Sequence, residues 1–156
     1  GLIPIIGYNY GARKKERIYN TIRYGVLYAC CFMVLGFALF QLIPQVLLGI
    51  FNPSEAMLAI GVPALRRIGL SFLFAGFCIV AGSTCQALDR SVSSLIVSVL
   101  RQVVVLIPAA WLLSRTGDVN MVWWAFPIAE IMSLAASAFF LRSALKAMDQ
   151  KFSKEE

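Results

Sequence analysis

Apolar residues fill this chain in four long blocks, and the polar positions gather where one block ends and the next begins. From Tyr24 to Ser54 there are 31 consecutive residues without a formal charge, and from Ile68 to Leu88 there are 21 more. Each run meets the roughly 20 apolar residues that a helix needs to cross a bilayer. Ser91–Ser114 is interrupted by a single charge, Arg101, and Val119–Leu141 by a single charge, Glu130. The pattern predicts an all-α membrane protein with transmembrane helices over 24–51, 57–88 (carrying an outer extension), 91–114 and 119–143. Residues 1–12 read as the end of a preceding transmembrane helix, 13–23 as a basic cytoplasmic loop and 144–156 as a cytoplasmic tail. Gly1 is not an initiator methionine, so the expectation is a piece of a larger chain.

Composition supports that class. Hydrophobic residues make up 60% of the chain and charged residues 14%, against roughly 45–50% and about 25% in soluble domains. The net charge of +6 does not point to nucleic acid, because the basic residues sit at the block edges rather than along one polar face. Arg13, Lys14, Lys15, Arg17, Arg23, Arg90, Arg142, Lys146, Lys151 and Lys154 fall on one side of the membrane, and Arg66, Arg67 and Arg115 on the other. Positively charged loops stay in the cytoplasm, so both ends of the chain are expected there. Trp111, Trp123 and Trp124 then fall near the outer interface, where amphipathic rings concentrate.

The cysteines change the picture little. Cys30 and Cys31 are adjacent in the first block, Cys78 and Cys85 lie two turns apart in the second, and the chain has no histidine. Zinc-ligand spacing and a disulfide framework are both absent, which leaves packed, reduced thiols and no cofactor or metal site. Ser71, Ala75, Cys78, Gly82 and Cys85 recur at intervals of three and four, placing small side chains on one helix face suited to close packing in lipid. A substrate path along the same stripe, with Thr84 and Gln86 near its inner end, is the alternative.

The candidate chemistry lies in the last two blocks. Arg101 is ten residues beyond Ser91, or about 15 Å at helical rise, which is mid-membrane. Glu130 has eleven uncharged residues on each side and sits at the same depth. A charge at that depth costs at least ~2.5–3.5 kcal/mol and is by default turned toward protein or a water-filled cavity. Glu130 heads a helical face with Trp123, Phe126, Ser133 and Ser137, a carboxylate with rings and hydroxyls suited to an organic cation, a proton or a sodium ion. Static pairing of Arg101 with Glu130, pairing that opens during transport, and independent roles are all compatible with the sequence. Pro108 and Pro127 are predicted to kink their helices and to free the carbonyls of Val104 and Trp123.

Four strings in order carry a resemblance. Pro4-Ile5-Ile6-Gly7-Tyr8-Asn9-Tyr10-Gly11-Ala12 before a basic run, Gln86-Ala87-Leu88, Leu100-Arg101-Gln102 leading to Pro108, and Trp124-Ala125-Phe126-Pro127-Ile128-Ala129 before Glu130 resemble the multidrug and toxin extrusion (MATE) family, in particular its DinF-like bacterial branch. Asp89 departs from the glycine that the family often carries there. The resemblance implies the end of the eighth helix and helices nine to twelve of a twelve-helix transporter, most of its second six-helix lobe, in a bacterial inner membrane. It further implies antiport of small amphipathic or cationic drugs against protons or sodium ions by alternating access, with the first lobe as partner. A lipid-linked oligosaccharide or polysaccharide flippase of related fold is the nearest rival, and a structural membrane subunit a further one. An intramembrane enzyme is not expected: the spans hold no Ser–Lys or paired-Asp arrangement.

Overall fold

The computed structural model describes residues 1–154, and all regular structure among them is helical. Helix α1 (Leu2–Gly11) closes with Asn9 Nδ2 donating to the Ile5 carbonyl at 2.8 Å. Arg13 then turns the chain in the left-handed region, φ 55°, which is uncommon for a residue with a Cβ. Helix α2 (Lys15–Leu42, 28 residues) follows at once. The basic loop expected over 13–23 is therefore only a short turn, and Lys15–Arg23 are the first turns of α2. Ile18 and Ile22, one helical turn apart, are buried against Ile6, so apolar contact winds this segment into the helix while its basic side chains point outward.

Pro44 ends the predicted 24–51 helix early. Its ring excludes helical geometry at Ile43 (φ −129°, ψ 40°) and opens a separate short helix, α3 (Pro44–Gly49). After the Asn52-Pro53 turn, Ser54 caps α4 (Glu55–Gly69) by accepting from the Met57 amide at 3.2 Å. Helix α4 runs through Pro63, and the break to α5 (Phe72–Ala87) comes at Leu70–Ser71, with a bend of 52°. There Ser71 turns back on α4, its amide and hydroxyl both bonding the Ile68 carbonyl at 2.9 and 2.6 Å.

Helix α5 contacts α1, α2, α4, α6 (Ser91–Val99) and α9 (Ala125–Lys154). It comes close to α2 at Gly76, where a Cβ would stand 3.2 Å from the backbone of Ala29 and Cys30. Within the predicted stripe Ser71, Cys78 and Cys85 are buried, and Gly76, outside that stripe, is where the backbones meet this closely.

The span 91–114 is α6, a π-helical segment over Leu100–Leu106, and α7 (Ile107–Ser114). Pro108 lies inside the continuous helix Ser91–Ser114, directly after its π-helical segment, so the wider winding comes where the proline removes an amide. Pro127 falls in the first turn of α9, just after the turn at Trp123 and Trp124. The predicted helix over 119–143 is divided into a single turn, α8 (Val119–Val122), and α9.

Helix α9 also continues through most of the expected tail 144–156, as far as Lys154; the last two residues lie outside those described. Ala144, Met148 and Phe152 extend its buried stripe against Ile6, Ile18, Ile22 and Leu88. Around this core Lys15 pairs with Asp149 at 3.0 Å, Tyr19 donates to the same carboxylate at 3.1 Å, and Tyr10 stacks on Phe152. Three helical stretches are long and apolar enough to span a bilayer, and the bent pair α4–α5 supplies a fourth if it counts as one span.

Gly76→Leu is expected to separate α5 from α2 and to destabilise the full-length protein by about 1–3 kcal/mol, the usual cost of overpacking. Gly49→Ala, with open space around it, should leave the melting temperature in detergent unchanged.

Candidate functional site

The charges in the last two spans meet. Glu130 is the sixth residue of α9, and its position on the helix face that packs against α5 leaves it 7% exposed. Arg101 is the second residue of the π segment, and its Nη1 lies 3.6 Å from Glu130 Oε2. That is longer than the ~2.7–2.9 Å of a charge-assisted hydrogen bond. The pair is an ionic contact without a closed fork. The Arg101 side chain is 35% exposed, and Glu130 Oε1 is buried with no hydrogen-bond partner.

Two cavities adjoin the pair. One of about 160 Å³ is walled by Ser71, Arg101, Gln102, Leu106, Phe126 and Glu130, so it brings the carboxylate, the guanidinium and an aromatic ring together. Trp123 reaches that cluster only through Phe126, on which it stacks with centroids 6.5 Å apart. The second cavity, about 230 Å³, shares Arg101 and takes Ser133 from α9. Ser137 is buried, lines neither cavity, and with Ser133 and Glu130 faces the Cys78 thiol of α5.

Sequence reasoning missed Ser71, Cys78 and Gln102 as members of this cluster. Ser71 and Cys78 lay in a stripe whose spacing pointed first to packing; Gln102, a polar residue beside Arg101 in an apolar run, was the available signal. Thr84 does not belong to a path. It is fully buried, and its hydroxyl is spent on the Val80 carbonyl at 2.8 Å. Gln86 does line the second cavity and donates to Ser94 Oγ at 3.0 Å.

A deep carboxylate with one free oxygen, held at some distance by a guanidinium, can exchange that partner for a bound cation or a proton. Comparison with known families bears on what such a site serves. The family model MatE matches residues 1–112. The chain belongs to the MatE family. The match takes in Arg101, while Glu130 lies beyond it. A solved structure described as the inward-facing conformation of a multidrug resistance MATE family transporter of the MOP superfamily aligns with a TM-score of 0.86 at 19% identity. The alignment covers 96% of this chain and 35% of that one, so this chain spans about a third of the solved protein's length. The likeness shows a shared fold for α1–α9, and family membership together with the apolar spans makes this a multi-pass membrane protein. No curated protein matches the chain.

Removing one partner leaves the other buried and uncompensated. Arg101→Leu in the full-length protein should cost about 3–5 kcal/mol, and Arg101→Leu with Glu130→Leu clearly less than either change alone. Denaturation of the two variants in detergent checks the difference.

Proposed function

We propose that this chain forms part of the second lobe of a secondary active antiporter of the DinF-like bacterial branch, which exports small amphipathic or cationic compounds across the inner membrane. Protons or sodium ions enter in exchange by alternating access. Membership of the MatE family and the likeness to a multidrug MATE transporter support the general activity. The observation that carries the coupling role is Glu130, a mid-span carboxylate with an unbonded oxygen and a guanidinium 3.6 Å away. Ionisable groups at that depth are retained for ion or substrate pathways.

The neighbouring chemistry suits the cycle. When Glu130 binds a cation or proton, its attraction for Arg101 falls, and Arg101, already reaching into a cavity, is free to move. The π segment that carries Arg101 fits that motion, since π turns mark functional positions in helices. Phe126 shares a cavity with the carboxylate and Trp123 stacks on Phe126, an aromatic pair of the kind that attracts organic cations. In this reading both ends of the chain face the cytoplasm, with Lys15, Asp149 and Lys151 at the inner surface.

Glu130→Gln in the full-length transporter keeps the shape of the side chain and removes its charge. The expected outcome is a folded protein whose drug efflux falls and no longer responds to pH or to sodium. Efflux and ion dependence equal to the parent protein's would remove Glu130 from the mechanism.

A further inference from the structure

The larger cavity beside Arg101 has a mixed lining, in which a row of polar side chains runs among apolar ones such as Ile79 and Val97. On α6 and the π segment Ser94, Ser98 and Arg101 follow one another at intervals of four and three, which puts them on one helix face. Ser83 and Gln86 line it from α5, and Ser133 from α9. Gln86 and Ser94 flank the Leu88–Arg90 turn, while Arg101 and Ser133 lie at mid-depth. The cavity therefore leads from the end of two helices to Arg101 and to Ser133, one turn from Glu130, over about 10 Å from Ser94 to Arg101 at helical rise.

Its walls are equipped to hold water. Ser94 Oγ accepts from Gln86 at 3.0 Å and keeps its own proton to donate, and Ser98 donates to the Ser94 carbonyl while its lone pairs stay available. Ser133 is 3% exposed, lines the cavity and has no hydrogen-bond partner for its Oγ; Glu130 Oε1, one turn away, has none either. Buried polar groups are ordinarily bonded to protein or to ordered water. A space of about 230 Å³ with these hydroxyls on its walls has room for several waters.

We propose that this cavity is a water-filled inlet through which protons travel between the Leu88–Arg90 end and Glu130, with Arg101 as its movable inner wall. The inference rests on Glu130 as the coupling group and narrows the coupled ion to a proton. A sodium ion at the carboxylate would stand beside the guanidinium, full charge against full charge. A proton instead passes from hydronium to Oε1 and forms an O–H bond, leaving a water behind and a neutral acid that no longer holds Arg101. The groups that face Glu130 are Arg101 from the π segment and Cys78 from α5. Released, Arg101 keeps its charge in the hydrated cavity it already reaches.

Thiol labelling tests the route separately from transport. In the full-length transporter, with its other cysteines replaced, Ser98→Cys, native Cys78 and Val99→Cys are each exposed to a membrane-impermeant cationic methanethiosulfonate in sealed vesicles of known orientation. Val99 does not line the cavity. The expected result is labelling of Ser98→Cys, and more slowly of Cys78, from the Leu88–Arg90 side alone, with Val99→Cys unlabelled. Ser133→Val should then slow proton uptake during drug efflux while the protein stays folded. Absence of labelling at both cavity positions, equal labelling from either side, or labelling of Val99→Cys at the rate of Ser98→Cys overturns the inlet. If those results occur while Glu130→Gln is still uncoupled, the inlet fails and the coupling role stands. One-sided labelling with a fully coupled Glu130→Gln removes both the coupling role and proton delivery.

Discussion

Close contact around α5 is the constraint on which the other helices depend. Between helices in lipid there is no hydrophobic drive comparable to that in water, so association relies on backbone proximity and on well-fitted small side chains. Gly76 gives α5 its approach to α2, and Gly82 lets Ser94 of α6 come within 3.3 Å of where a Cβ would stand. On a neighbouring face the same helix presents Cys78 to Glu130, Ser133 and Ser137 of α9. One helix thus fixes both the packing distance and the polar surface beside the ion pair.

The Arg101–Glu130 contact is a compromise between solvation and attraction. Taking both charges out of water costs several kcal/mol per ion, and only close, fully bonded geometry repays it. Here the geometry is open: one carboxylate oxygen lacks a partner, and the guanidinium is about one third exposed. A pair of this kind neutralises charge at mid-span without binding it rigidly. At the other end of α9 the arrangement is tighter, with Asp149 held by both Lys15 and Tyr19 beside a packed apolar core. The long helix is thereby anchored near its C-terminal end and adjustable near its N-terminal end, where Glu130 is its sixth residue.

The elements that sequence reading misplaced share a cause. Lys15–Arg23 and Ala144–Lys154 carry many charges, so hydropathy alone read them as loop and tail. Their apolar positions nonetheless recur every three or four residues, and each stripe finds its cover only in the other, Ile18 and Ile22 against Met148 and Phe152. Proline positions failed differently. Pro63 is accommodated within α4, Pro108 follows the π segment inside a continuous helix, and Pro127 sits in the first turn of α9. Proline marks a position with no amide to give; whether that position is a kink or a helix start depends on where neighbouring helices let the chain turn.

The sequence by itself determined that this is a helical membrane protein and that two of its apolar spans each carry a single charge. These follow from the length and polarity of each segment against the thickness of a bilayer, a property local to the chain. Its four ordered motifs also pointed to the family that the MatE match establishes. Only the tertiary structure decided that Arg101 faces Glu130, that Ser71, Gln102 and Cys78 join them, and that a cavity bearing several serines leads to Arg101. Those facts depend on how helices far apart in sequence rotate about their own axes when they pack, and local hydropathy does not record that rotation.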